Sequence, residues 1–298
     1  MSYGDLDLSP IGNCAVSALI DRQGRYVWAC VPRVDGDPMF CALMSGRDPG
    51  AEDAEGVWAI DLIDQVGAEQ RYERNTAILI TTLTDKRGAA VEIIDFCPRY
   101  RRHNRTYRPN AYARILRPIN GAPRLRMRLK PTIDWGSQLA GLTAGSNHIR
   151  YRVPGVMRLS TSLPISNVYA SRDFRLEQEH VFFLGPDEPF ADDLRTSIRA
   201  MYEHTRFYWQ RWARTLATPL EWQADVIRAA ITLKLCVHEE TGAIVAALTT
   251  SIPEAPNSGR NWDYRFCWLR DAYYTVQALT LLGAADILEG YLGYLRNI

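Results

Sequence analysis

The sequence predicts a chain of two parts, an antiparallel β-sandwich followed by α-helices. Up to about residue 190, short runs rich in β-branched and aromatic residues alternate with turns of Gly, Asp, Asn and Pro. Beyond that point the apolar residues recur at helical spacing, and the 298 residues suffice for one large or two ordinary domains. We therefore predict the sandwich over 1–190, a linker helix over 191–219 and a helical unit over 220–298.

The strands of the predicted sandwich are separated by recognisable turns, which read DRQG, DKRG, INGAP and PG. The run RLRMRLK (124–130) alternates arginine with Leu or Met, which is typical of a strand with one buried face. Short strands joined by tight turns favour an antiparallel sandwich. The strands are predicted over 17–20, 25–31, 78–84, 89–96, 113–118, 124–130, 148–153, 156–163, 167–170, 174–178 and 180–184.

The helical part begins with a run of spaced apolar residues and interspersed arginines that Pro219 ends. A second helix is predicted over 221–239, where VIRAAITLKLCV is apolar on most sides. A loop over 241–260 follows, then a third helix that ends at Gly283 and a fourth that begins at Ala285. Strongly apolar helices in such small number leave faces uncovered, so we expect this helical unit to be incomplete.

The composition argues against several classes of protein. The formal net charge of +1 offers little attraction to a nucleic acid or a membrane surface. No apolar run approaches the length of about 20 residues that spans a bilayer, and the first residues lack the pattern of a signal peptide. The segment RYRRHNRTYR (99–108) is therefore interpreted as a solvated or interdomain loop. We expect a soluble, cytoplasmic protein with neither a nucleic-acid nor a membrane partner.

Metal and cofactor chemistry is also not expected. The five histidines are scattered, and the six cysteines form no CxxC pair and sit in hydrophobic stretches, as reduced core thiols do. The sequence contains neither a glycine-rich phosphate loop nor a GxSxG motif. The motif IDWG (133–136) is interpreted as the end of a strand.

One stretch, NWDYRFCWLRDA (261–272), concentrates aromatic and charged residues at the start of an apolar helix. Aromatic rings beside Arg and Asp suit a carbohydrate pocket, because the C–H faces of a sugar stack on the rings and its hydroxyls bond to the charged groups. The same residues also suit structural ion pairs and core packing, so composition alone leaves both interpretations open. The candidate residues are Trp262, Asp263, Tyr264, Trp268, Arg270 and Asp271, with Arg265 between them.

NWDYRFCWLRDA, preceded by TGAIVAALTTSIPE, resembles the start of the catalytic barrel in glucoamylase-type glycoside hydrolases of family 15, bacterial branch. IGNCAVSALIDRQGRYVWACVPRVDGDPMF resembles the opening of that branch's β-sandwich, and YWQRWAR with IRAAITLKLC is similar to its linker and first barrel helix. The resemblance implies that 220–298 begins an (α/α)6 barrel. It further implies hydrolysis of α-glucosidic bonds with inversion, on an α-glucan, a maltooligosaccharide or trehalose.

The resemblance also implies roles for the candidate residues. Arg270 and Asp271 match the pair that binds hydroxyls of the terminal glucose in the −1 subsite, and Trp268 packs beside them. Tyr264 matches an aromatic residue near the anomeric carbon. Trp262 and Asp263 lie in the same loop as further substrate-binding candidates.

The catalytic carboxyl groups are not among these residues. Inversion needs two carboxyl groups roughly 6.5–9.5 Å apart, and the family places both, as glutamates, on later barrel loops. We therefore expect the general acid and base beyond Ile298, and no catalytic residue within the 298 residues given. It follows that we expect no turnover by this chain alone and the remainder of the barrel as its partner. The alternative is a non-catalytic β-sandwich module for assembly or carbohydrate binding, from a truncated or decayed gene.

Overall fold

The computed structural model describes residues 6–249, 255 and 258–298. Its first strands are β1 (Ser9–Gly12), β2 (Ser17–Ile20), β3 (Tyr26–Val31), β4 (Asp37–Phe40), β5 (Val57–Leu62), β6 (Gln65–Tyr72), β7 (Leu79–Asp85), β8 (Ala90–Phe96), β9 (Tyr100–Arg102), β10 (Arg105–Tyr107) and β11 (Tyr112–Asn120). The later strands are β12 (Arg124–Lys130), β13 (Thr132–Ile133), β14 (Gln138–Leu139), β15 (Gly141–Ala144), β16 (His148–Arg152), β17 (Met157–Thr161), β18 (Asp173–Arg175), β19 (His180–Pro186), β20 (Val237–His238) and β21 (Ala243–Ile244).

Most of these strands form two antiparallel sheets. The first has the order β1-β2-β3-β5-β12-β18, with β4 also paired to β3, and the second has the order β15-β16-β17-β19-β11-β8-β7-β6. One hydrophobic cluster contains buried residues of both sheets, among them Trp58 and Ile60 of the first and Ile93 and Leu184 of the second. The two sheets therefore share a core, and the predicted antiparallel β architecture is confirmed.

The helices are α1 (Ile165–Tyr169), α2 (Leu194–Arg214), α3 (Gln223–Leu235), α4 (Leu269–Leu281) and α5 (Ala285–Arg296). The Asp193 side chain caps α2 by accepting a hydrogen bond from the Thr196 amide at 2.9 Å. None of the helices within the described ranges is long and apolar enough to cross a bilayer. The predicted order, strands first and helices after, is confirmed.

Two predicted elements were wrong. The strand expected over 167–170 is part of α1, a single turn that buries Val168 in the sandwich core. The helix expected over 221–239 ends at Leu235, and a short hairpin of β20 and β21 follows it. Gly242 in the hairpin turn has a φ of +79°, and a Cβ there would collide with the Gly290 carbonyl on α5. The loop predicted over 241–260 lies partly outside the described residues.

A second hydrophobic cluster joins the sandwich to the helices. It contains Trp28 and Cys30 of β3, Trp209 of α2 and Ile231 and Leu235 of α3. The first sheet, the linker helix and the next helix therefore share buried surface.

A charged cluster reinforces this junction. Arg99 is 1% exposed, donates to the Asn13 carbonyl at 2.6 Å and pairs with Glu239. Arg108 approaches the same carboxylate at 3.1 Å, and the Glu239 amide donates to the Cys14 carbonyl at 3.0 Å. Both arginines belong to RYRRHNRTYR, so the two ends of that segment lie at the junction, as in an interdomain loop. A hairpin of β9 and β10 lies between the two ends.

We expect the junction to weaken at acid pH through Glu239. Burial favours the neutral form of this carboxyl, but Arg99, Lys234 and Arg108 outweigh that effect and lower its pKa from 4.5. Because the folded-state pKa is the lower one, ionised Glu239 contributes stability that is present above the unfolded pKa and lost as the pH falls through the folded pKa.

Glu239→Gln should therefore lower the melting temperature at pH 7 by about 2–4 °C and reduce the further loss between pH 7 and pH 4. Thermal unfolding monitored by circular dichroism at both pH values measures this. The neighbouring Glu240→Gln removes an equal charge but leaves the ion pairs of Glu239 with Arg99 and Arg108 in place, so it should leave both values unchanged. Equal acid sensitivity of the Glu239 variant and the wild type would contradict the assignment.

Candidate functional site

The candidate residues lie in the loop before α4 and in its first turn. Ala272, Val276 and Leu279 are buried at helical spacing and hold α4 against its neighbours. Trp268 occupies the N-cap position in an extended conformation, so the chain enters the helix there. Arg270 and Asp271 consequently stand at the N-terminal end of α4.

Three aromatic rings of the loop contact one another. The Trp268 ring lies 5.9 Å from that of Tyr264 and 6.4 Å from that of Trp262. The Trp268 indole N–H donates to the Asp263 carbonyl at 2.9 Å, which fixes the ring. Trp262 remains 46% exposed, so the cluster presents an aromatic surface rather than a closed core.

Arg270 and Asp271 follow these aromatic residues in the chain and pair with each other in the first turn of α4. The Arg270 side chain is 73% exposed, and its Nη2 lies 3.6 Å from Asp271 Oδ2, beyond hydrogen-bonding distance. Asp271 Oδ2 is buried and has no hydrogen-bond partner among the described residues. A buried carboxylate oxygen without a hydrogen bond costs folding free energy. The described part of the chain supplies no hydrogen-bond donor to this atom.

Asp263 and Arg265 differ from that pair because they bond to each other. Arg265 is 3% exposed, and its guanidinium donates to Asp263 Oδ2 at 2.8 Å and to the Gly36 carbonyl at 2.7 Å. Burial favours a neutral Asp263, but the hydrogen bonds and charge of Arg265 prevail and lower the pKa of Asp263. Through these contacts Asp263 holds Arg265 against the sandwich.

A tryptophan of the sandwich, Trp135, lies beside this loop and was not predicted from the sequence. The Trp135 ring lies 4.6 Å from the Arg265 guanidinium, although the two residues are far apart in the chain. IDWG does contain a strand end, as interpreted, since β13 stops at Ile133. The available signal was a tryptophan next to a glycine, which does not reveal its partner.

Two surface pockets near the helical part do not include Arg270 or Asp271. A pocket of about 440 Å³ lies between the hairpin of β9 and β10, α2 and α5, with Tyr100 and Trp212 in its wall. A pocket of about 220 Å³ borders Arg265 and Tyr294. Within the described ranges no three His, Cys, Asp or Glu side chains are arranged to hold a metal ion. The side chains of the loop itself can form hydrogen bonds and offer rings for stacking.

Two models of known protein families match this chain. Residues 223–295, which contain the aromatic loop and its helix, match the model of glycosyl hydrolases family 15. Residues 7–166, more than half of the chain, match the family described as trehalase-like, N-terminal. The chain belongs to the family described as trehalase-like, N-terminal, and its helical part is similar to glycosyl hydrolases family 15.

Individual relatives agree with the family match. The chain is similar to a trehalase of Mycolicibacterium smegmatis, with 28% identity over 98% of this chain and 47% of the relative. A trehalase of Thermoplasma volcanium is 25% identical over 92% of this chain and 44% of its own length. Trehalase 1 of Sulfolobus acidocaldarius is 26% identical over 92% of this chain and 45% of its own length. The chain thus spans slightly less than half the length of the curated relatives that it matches.

Proposed function

We propose that this chain is the N-terminal part of an inverting α-glucosidase and that it supplies the wall of the −1 glucose subsite. The observation that carries the proposal is the Arg270–Asp271 pair, in which Asp271 Oδ2 has no hydrogen-bond partner among the described residues. The match of residues 223–295 to glycosyl hydrolases family 15 supports the same reaction class. Trehalose is the first candidate substrate because the relatives above are named trehalases, and glucans and maltooligosaccharides are the alternatives.

The chemistry of each group fits a neutral sugar. The Arg270 guanidinium donates hydrogen bonds, and the Asp271 carboxylate accepts them from hydroxyl groups. Trp268 and Tyr264 offer ring surfaces to the C–H faces of glucose. In this proposal a hydroxyl of the bound sugar is the donor that Asp271 Oδ2 lacks.

The acid and base of an inverting reaction must come from elsewhere in the protein. Asp263 is engaged with Arg265, and Asp271 is assigned to the sugar. We propose that both catalytic carboxyl groups lie beyond Ile298, on further helices of an (α/α)6 barrel whose first helices are in 220–298.

Exposed apolar residues support further helices at this position, because a helix packed on them would cover surface that now faces water. They are Leu269, Tyr273, Tyr274 and Leu281 of α4, Leu292 of α5, and Ile298 just after α5, which is 77% exposed.

The free cysteines support a cytoplasmic location.

The test is an assay of the complete gene product on trehalose and on maltooligosaccharides, with the anomer of released glucose followed by NMR. From the non-reducing end of a maltooligosaccharide we expect β-glucose, and from trehalose one β-glucose and one α-glucose, because only the attacked anomeric carbon inverts. We expect no turnover by the 298-residue chain alone. Absence of glucose release from every substrate would overturn the enzyme and favour a non-catalytic module. Hydrolysis by the purified 298-residue chain would overturn the assignment of the acid and base to positions beyond Ile298.

A further inference from the structure

We propose that Trp135 of the β-sandwich is a substrate-binding platform, on which the glucose unit adjacent to the one held by Arg270 and Asp271 stacks. This inference rests on the proposed function, since it assumes that a glucoside occupies the −1 subsite. It adds a contribution from the sandwich to a site otherwise made by the helical part.

Trp135 is connected to the aromatic loop by direct contacts. Its ring lies on the Arg265 guanidinium, which is bonded to the Asp263 carboxylate, and the carbonyl of Asp263 accepts from Trp268. Only the Arg265 and Asp263 side-chain contacts therefore separate Trp135 from Trp268, which lies two positions before Arg270 in the chain. In this proposal, a ligand that extends from the Arg270–Asp271 pair toward the sandwich meets Trp135.

The backbone holds this tryptophan in an unfavourable conformation. Asp134 and Trp135 have φ values of +51° and +57°, in the left-handed region that non-glycine residues rarely adopt. The Asp37 carboxylate stabilises the turn by accepting from both amides, at 2.7 and 2.8 Å. Yet the side chain that this turn presents remains 48% exposed. The hairpin of β13 and β14 accounts for the left-handed turn, and the ring that this turn carries is half-exposed beside the aromatic loop.

The charges beneath the ring indicate a neutral ligand. Arg265 is buried and paired with Asp263, so its charge is compensated and does not attract an anion. An indole face over this pair suits the C–H face of a sugar. Trehalose and maltose both carry a second glucose unit that can occupy this position.

The test compares two substrates of the complete gene product. One is the disaccharide that it hydrolyses, and the other is α-glucosyl fluoride, whose leaving group is not a sugar. Trp135→Ala should raise KM for the disaccharide about three- to tenfold and change kcat less than twofold. KM for the fluoride should remain unchanged, because no second sugar is bound.

Two further variants and a control complete the experiment. Trp135→Phe retains a ring and should show a smaller increase in KM than Trp135→Leu, a comparison that also serves if the alanine variant does not fold. Trp222→Ala, at a tryptophan 74% exposed before α3, should alter neither substrate. An unchanged KM for the disaccharide, or equal changes for both substrates, would overturn the platform. Absence of wild-type turnover on either substrate would instead overturn the proposed function.

Discussion

Replacing Arg270 by alanine in the complete gene product should lower kcat/KM for its α-glucoside on the order of a hundredfold, as should replacing Asp271 by asparagine. A hydrogen bond between a charged group and a sugar hydroxyl contributes about 1.5–3 kcal/mol, and contacts to the sugar strengthen as the transition state forms. Steady-state kinetics on purified variants measures the loss. Among the changes considered, these two should have the largest effect on activity.

Folding should not depend on the same two side chains. Arg270 is largely exposed, and its ion pair with Asp271 is beyond hydrogen-bonding distance at 3.6 Å, so the two side chains contribute little that unfolding would break. Melting temperatures should therefore stay within about 2 °C of the wild type. Matched controls are Arg296→Ala and Asp286→Asn, which remove the same groups from exposed positions of α5. Variants of Arg270 and Asp271 with kcat/KM within about threefold of the wild type would contradict the sugar-binding assignment.

Closeness in the sequence accounts for those contacts of the candidate site whose residues are near one another in the chain. Trp262, Tyr264 and Trp268 lie within seven positions, so a helix entrance alone brings their rings together. The pairing of Arg265 with Gly36 joins residues 229 positions apart, and that of Trp135 with Asp37 joins residues 98 apart. Local spacing carries no information on such contacts, which depend on how the sandwich packs on the helices.

The fold shows the same limit at its short elements. Strands flanked by tight turns are evident because alternation and turn residues agree over many positions. The four residues 167–170 are too few to distinguish a strand from a turn of helix, and the structure forms α1 there. The β20–β21 hairpin depends on the close approach of Gly242 to α5, a tertiary contact that helical periodicity in 221–239 does not reveal.

The buried Arg114–Asp95 pair should be the point at which one substitution most destabilises the protein. Both side chains are fully buried inside the sandwich, and Arg114 donates to the two carboxylate oxygens at 2.6 and 3.1 Å. The guanidinium also donates to the Gly24 carbonyl at 2.6 Å and lies 4.6 Å from the Tyr26 ring. Arg114→Met would leave the Asp95 charge buried without its partner.

We expect Arg114→Met to lower the free energy of unfolding by about 3–5 kcal/mol, measured by urea denaturation followed by circular dichroism. Arg117→Met is the control, because Arg117 lies on the same strand and its side chain, which pairs with Glu92 and Glu179, is 45% exposed. That control should cost less than about 1 kcal/mol. Adding Asp95→Leu to Arg114→Met should recover part of the loss, since no unpaired charge then remains buried. Equal losses for Arg114→Met and Arg117→Met would show that burial of the pair does not determine its contribution.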